Sequence, residues 1–407
     1  MKVQLIAAGA VLMVSNLFAQ TFTNYTTADG LLSNNVNCVD VDGSNSVWFG
    51  TQGGVSIFNG SIWTDHTVVT DAGLADNNIQ AIYVANSGDV WVGTDFGASV
   101  YSGGSWTTYT VADGLGNDQV KCVSEDADGD IWFGTNSGAT EFDGTNWTSY
   151  GTAQGLPFGG VTTIKTRSNG ELWMGSGLGG VIVYDGSSFS VITNADGLVD
   201  DRIRGLVIDG QDNKWVGTSE GITVLDNSNA VLTNHTIIFT LPAPDTLNPI
   251  EDVEMDSQGN IWAGVYVDYL VTEGGVCAYN GNQWVEFHVA DGLVGPVVRD
   301  LAIDANDDVW VATSTGVSKI SDHSVSINED SVDDFVLYPN PAKDVINVSL
   351  MSYGNEGVVE MYNTAMQLVV TKEYSIGQKE IMLNVDNLTG GVYYVKLNGQ
   401  ARKVVIK

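Results

Sequence analysis

Lys121, Arg204 and Arg299 each directly follow an apolar residue, Val120, Ile203 and Val298, at one recurring position of the chain. Between positions 21 and 320 there are only eight basic residues, so three of them at one position is a pattern that calls for a reason. A guanidinium can hold a carboxylate or sulfate through two parallel hydrogen bonds, which makes this position a candidate grip for a polar, anionic ligand. Arg202 lies just before it, and the corresponding position elsewhere holds Asn37, Gln80, Thr162 and Glu251, all able to hydrogen-bond. A second reading stays open, in which Arg204 and Arg299 pair with nearby acids such as Asp201 and Asp300 and only tie neighbouring units together.

Other residues could carry chemistry. Asp126, Asp128 and Asp130 form a D-x-D-G-D string that is either a hairpin turn or a weak calcium loop. An EF-hand-like site needs more oxygen ligands and a closing bidentate acid, and the equivalent turns at 256–259, 86–88 and 167–170 lack that spacing. No other cofactor is indicated. Gly175–Gly180 contains GxGxxG but follows a strand without opening a helix, so it is not a dinucleotide fingerprint. His288 replaces a repeated threonine, His235 and His323 fall in irregular stretches, and His66 lies near Asp65, with no partner set for catalysis. Gln52, Asp95, Phe96, Asn136, Glu220 and the insertion 266–273 fall in loops expected on the same rim as the basic position. There Phe96, Tyr266 and Tyr269 are candidates for the apolar face of a ligand, and the two tyrosines either stack on a sugar or pack their own insertion.

These residues need elements that repeat as they do. Tryptophans recur at 48, 91, 132, 173, 215, 262 and 310, each preceded by an apolar residue twelve positions earlier, from Val36 to Val298. The stretch 113–150 shows the whole unit: an Asp-Gly-Leu opener, then four short alternating runs joined by turns. Alternation of period two excludes a helical solenoid, and four-strand units of this length stack radially. The expected fold is all-β, a seven-bladed propeller over 21–320 followed by a small β-sandwich over 335–407. Unit seven runs out after its third strand, while TFTNYTTADGL at 21–31 supplies a fourth strand and opener, so the N-terminal strand is expected to close the last blade. In this frame the tryptophans read as blade-to-blade packing residues, not as a glycan platform.

Composition bounds the partners. Forty-nine acidic against 16 basic residues give a formal net charge of −33, which argues against nucleic acid and against anionic membranes. Three cysteines without C-x-x-C spacing are too few for a disulfide framework and read as small buried hydrophobes. Residues 1–20 have the basic start, apolar run and small residue of a secretory signal peptide, with no transmembrane segment expected after its removal. Residues 321–334 read as an acidic linker.

The pattern DGL…D-x-x-G-x-x-W-F-G-T resembles the two-component regulator propeller repeat, found in periplasmic sensor domains of Bacteroidota hybrid kinases; a kinase half is not expected among these 407 residues. The run Tyr338-Pro339-Asn340-Pro341, with Gly390, Gly391 and Tyr393 near a basic last strand, closely resembles the type A sorting domain of the type IX secretion system. That resemblance implies the type IX machinery and its sorting peptidase as partners, and a place in the medium or on the outer cell surface. The function expected is recognition of a glycan or another polar extracellular ligand at the channel mouth. Two alternatives stand beside it: a metal-assisted propeller lyase or hydrolase acting on an extracellular polymer or lactone, and a protein-docking or adhesive surface protein.

Overall fold

A computed structural model describes residues 20–240, 248–267, 273–321, 335–350, 357–363, 367–375, 378–397 and 400–407. The signal-peptide stretch before Gln20, most of the linker and Tyr269 lie outside the described residues. The chain divides into two compact units between Val325 and Ser326.

The first unit holds seven antiparallel sheets of four strands each. Blade one is formed by Val36–Val41, Val47–Thr51, Gly54–Phe58 and Trp63–His66 in sequence order, and blades two to six repeat it. Blade seven takes Val298–Ile303, Val309–Thr313 and Gly316–Ser321 from its own repeat and Thr21–Tyr25 from the start of the described chain. Thr21 lies opposite Ser321 and Tyr25 opposite Val317, so the outer edge of that blade is covered by a strand from the far end of the unit.

The innermost strands begin at Val36, Ala81, Val120, Val161, Ile203, Ile250 and Val298. In six of the seven blades they carry a register shift directly after the apolar anchor residue, as between Val120 and Cys122. The W-x-G signature of the second strand has a packing cause. A Cβ on Gly134 would lie 2.3 Å from Cys122 Sγ and 2.9 Å from Val161 Cγ1, the anchor of the next blade. Gly50, Gly93, Gly175, Gly217 and Gly264 meet the following anchor in the same way. Absence of a side chain there lets six blades close on their neighbours, while blade seven carries the small Ala312 at this position.

The tryptophans fill the spaces further out. Trp132 stacks on Tyr150 of its own blade and reaches Tyr184 of the next, and Trp310 stacks on Tyr25 while meeting Phe49 and Phe58 of blade one. In five of the seven blades the indole N–H is anchored by the turn before it: Asp42, Asp126, Asp209, Asp256 and Asp304 accept from Trp48, Trp132, Trp215, Trp262 and Trp310 at 2.8–3.1 Å.

The second unit has a three-stranded sheet, Phe335–Tyr338, Val345–Leu350 and Glu380–Asn384, and a four-stranded sheet, Leu368–Tyr374, Gly357–Asn363, Gly391–Leu397 and Gln400–Ile406. Phe335, Ile346, Val359, Met361, Val395 and Ile406 share its core. Of the sorting residues, Tyr338 ends the first strand, Pro339, Asn340 and Pro341 lie exposed beyond it, Asn340 accepts from Val405 N at 3.0 Å, and buried Tyr393 bonds Thr389 O at 2.8 Å. Gly391 opens the strand that ends at Leu397, with Gly390 just before it. Among the described residues no helix is long and apolar enough to cross a membrane, a finding that bears on helices only.

Candidate functional site

In every blade the residue after the anchor lines the channel, and in six of them it sits at the register shift. Asn37, Gln80, Lys121, Thr162, Arg204, Glu251 and Arg299 all line one cavity of about 440 Å³ enclosed by the inner strands. Val36 pairs with Thr51 at the end of the second strand, so the loops between second and third strands lie on this same face. Asp95 in one of them takes Lys121 Nζ at 3.2 Å and Gln80 Nε2 at 3.5 Å.

The basic position is brought together, but with partners other than those expected. Arg204 pairs with Glu251 of the neighbouring blade, not with Asp201, whose carboxylate accepts from Asn194 N at 2.6 Å. Arg299 donates to Asn37, and Asp300 turns inward to accept from Val39 N at 2.8 Å. Among the described residues Arg299 is in no ion pair, which leaves it as the mouth guanidinium without a carboxylate. Arg202 is outside the cavity lining, held by Asp200 at 2.9 Å and near Glu220 at 3.7 Å.

Phe96 sits next to Asp95 and is 65 % exposed, beside the cavity instead of in it. Phe158, 81 % exposed, and Leu178 share that face in blade four, a pair that sequence reading missed although the G-L-P-F-G-G run marks an irregular turn. Tyr266 extends the second strand of blade six, where its N–H bonds Pro249 O at 3.3 Å, and it is not part of the lining.

Also lining the channel is a group that a census of basic residues could not find. Asp40, Asp252, Glu254 and Asp300 line the cavity with Lys165, whose Nζ lies 2.7 Å from Glu254 Oε1. Burial penalises this ammonium, but Glu254, Asp252 and Asp300 outweigh the penalty and hold its pKa above the ordinary lysine value. Desolvation raises Asp40 to about 6 against its N–H donors and Lys165. Burial likewise raises Glu254, and it raises Asp300 well above the usual range, with the neighbouring Asp252 carboxylate adding to the effect. Three of the four also tie strands: Asp300 to Val39 N, Asp252 to Leu301 N at 3.2 Å, and Asp40 to Val84 N at 2.7 Å.

The remaining candidates have structural partners. Asp126 accepts from Asp128 N, Asp130 N and the Trp132 indole, as its counterparts do in other blades. Asp130 and Glu141 lie close enough to Asp126 to share an ion, whereas Asp128 is not in that group. The GxGxxG string forms the 177–180 loop, where Ser176 Oγ accepts from Leu178 and Gly179 N. His235 is in a regular outer strand, not an irregular stretch, stacked on Trp215 with its pKa lowered by burial. His66 occupies the same register position in blade one and meets Asp71 at 2.9 Å, while Asp65 accepts from Ser56. All three cysteines are free, Cys38 and Cys277 fully in the core.

Comparison with known proteins agrees with this architecture. The family described as secretion system C-terminal sorting domain matches residues 336–407, and two-component regulator propeller matches residues 73–96 and 114–137. Beta-agarase A of Zobellia galactanivorans is 30 % identical over 142 residues, covering 31 % of this chain and 25 % of that protein. The chain thus spans about a quarter of that curated relative. Among solved structures, PorZ, a surface component of the type IX secretion system of Porphyromonas gingivalis, is similar with a TM-score of 0.57 at 16 % identity, over 92 % of this chain and 60 % of that one. An inactive virginiamycin B lyase from Staphylococcus aureus bound to quinupristin gives 0.58 at 14 % identity, over 74 % of this chain and 99 % of that one. At such identities the likeness speaks for the propeller fold alone.

Proposed function

For a chain that carries two-component regulator propeller repeats and a type IX sorting tail, and so is marked for export to the cell surface or for secretion, we propose a recognition role centred on the propeller channel. The mouth binds a polar extracellular ligand, with a glycan as the class to test first. The observation that carries this reading is the cavity of about 440 Å³, whose wall holds hydrogen-bonding or charged side chains from every blade. Sugars suit such a site because their hydroxyls need many paired donors and acceptors, while Phe96, Phe158 and Leu178 nearby offer apolar contact.

The test is a glycan array probed with the full chain and with Arg204→Ala/Arg299→Ala. Specific signal lost in the variant, at unchanged thermal midpoint, supports the reading. A blank array with folded protein removes the glycan. The exposed Phe158 then favours a second reading, a protein docked on the same face.

A further inference from the structure

The propeller carries eight basic residues between positions 21 and 320, and its acids claim most of them. Lys121, Lys165, Arg167, Arg202, Arg204 and Lys319 are each in an ion pair. Lys214 is fully buried, its ammonium on Asp226 O at 2.6 Å and over the Trp173 ring. That leaves Arg299. It lines the cavity mouth, and among the described residues its guanidinium bonds the neutral Asn37 side chain alone. Arg167, by contrast, fills its fork with Asp212, Glu171 and Asn227 O. A guanidinium has five N–H donors, so most of the Arg299 fork is without a protein acceptor.

Arg299 is held in place without being neutralised. Asn37 Oδ1 accepts from it, while Asn37 Nδ2 donates to Asn78 Oδ1 at 3.1 Å and to Ile79 O at 2.7 Å, so the amide that steadies the arginine is itself fixed to blade two. The acids nearest in sequence and around the ring are engaged elsewhere. Asp300 accepts from Val39 N at 2.8 Å, Asp252 accepts from Leu301 N at 3.2 Å, and Glu251 is paired with Arg204. Beyond Asn37 on the ring stands Gln80, whose side-chain amide makes only a 3.5 Å contact to Asp95. A positioned, uncompensated fork with a hydrogen-bonding amide two places along suits a group that carries both an oxyanion and hydroxyls. Acids on the outer surface act weakly here, since exposed charges are screened beyond about 8 Å at physiological ionic strength.

We propose that the mouth takes an acidic polysaccharide, with a carboxylate or sulfate oxyanion of one sugar in the Arg299 fork and its hydroxyls at Gln80. This deepens the recognition reading at the same mouth and rests on it. A planar fork accepts either anion through two parallel bonds, so uronic acids and sulfate esters share the chemistry. The neutral hydrogen-bonding residues Asn37, Gln80 and Thr162 on the same ring favour a saccharide over an acidic peptide.

Calorimetry on the full chain at pH 7.5 and physiological salt tests this, with oligogalacturonate, its methyl ester, a sulfated galactan oligosaccharide, its desulfated counterpart and oligoglutamate as probes. Binding of the uronate or the sulfate ester roughly tenfold or more tighter than the matched neutral sugar is the expected result, and which one binds identifies the source. Arg299→Gln should erase that difference. Arg299→Lys keeps the charge without the fork and should weaken anion binding several-fold. Glu251→Gln, by releasing Arg204 from its carboxylate, should strengthen anion binding several-fold. The comparison of matched sugars on the wild-type chain stands even if a variant fails to fold. Equal or tighter binding of the neutral counterparts, an anion preference unmoved by Arg299→Gln, or oligoglutamate bound as tightly as the sugars would each overturn the proposal. A neutral glycan bound at the mouth with no preference for its acidic form would sink the oxyanion while leaving the recognition reading intact; no binding to any probe or to the array would sink both.

Discussion

Lys165 Nζ lies 2.7 Å from Glu254 Oε1, an ion pair that joins blade four to blade six across the channel and passes over blade five. Blade five presents the buried, uncharged Val207 at the equivalent position. Lys165 is thus the counter-charge for carboxyls contributed by blades one, six and seven. Its replacement by Met should lower stability at pH 7.5 by about 1–3 kcal/mol, less than a fully dry pair because the channel admits water. The loss should shrink at pH 5, where the carboxyls carry protons. Thermal denaturation at the two pH values checks this; an equal loss at both would show that the lysine acts through packing.

The pH dependence of the wild-type propeller should carry the same signature. Asp40 titrates at about 6 in the fold against 3.8 for the ordinary group, so the folded state holds its proton longer than the unfolded chain. Stability from this group is full below about pH 4 and is lost as pH rises toward 6. Groups with lowered pKa, such as Asp42 and Asp212, act oppositely and only below the ordinary carboxylate range. Asp40→Asn should therefore flatten the decline between pH 4 and 7, gaining at most about 3 kcal/mol relative to wild type at the upper end. A wild-type profile rising through that window would contradict the assignment.

Packing at the W-x-G glycines gives a test independent of charge. Gly134→Ala places a methyl 2.3 Å from Cys122 Sγ and 2.9 Å from Val161 O, where backbone must move, and should cost about 1–3 kcal/mol. Gly43→Ala, with nothing within 4 Å, should change stability by less than about 0.5 kcal/mol. Equal effects in a denaturant titration would remove the packing account of the motif.

Export can be tested apart from recognition. Residues 336–407 match the sorting domain, so a chain ending at Ser321 should accumulate inside the outer membrane of its host while the full chain reaches the surface or medium. Cell fractionation with immunoblotting reads this. Unchanged export of the shortened chain would mean that the tail does not direct it.

The architecture was legible because it repeats: the twelve-residue spacing from Val120 to Trp132 recurs in every unit, and one blade read correctly is seven. The mouth position was legible for the same reason, since basic residues are scarce and three share it. Which acid each one meets was not. Glu251 is 47 positions from Arg204, and only the curvature of the ring decides that it is nearer than Asp201. The group of channel acids was missed because acids are common in this chain, so no single Asp stands out. Its signal was present in the alignment of repeats: Asp252 and Asp300 stand where other units carry Cys38, Ala81, Cys122, Thr163 and Gly205. His235 was misplaced because its outer strand lacks the usual tryptophan; its stacking on Trp215 fills the role that Tyr150 plays against Trp132.

The most direct measurement is a crystal structure of the full chain with a ligand selected on the array. The account predicts ligand density at the mouth of the channel, within hydrogen-bond reach of Arg299 and of at least one of Asn37, Gln80 and Thr162. Density on the outer strands of the blades or on the C-terminal sheets, with the channel filled only by water, would contradict it.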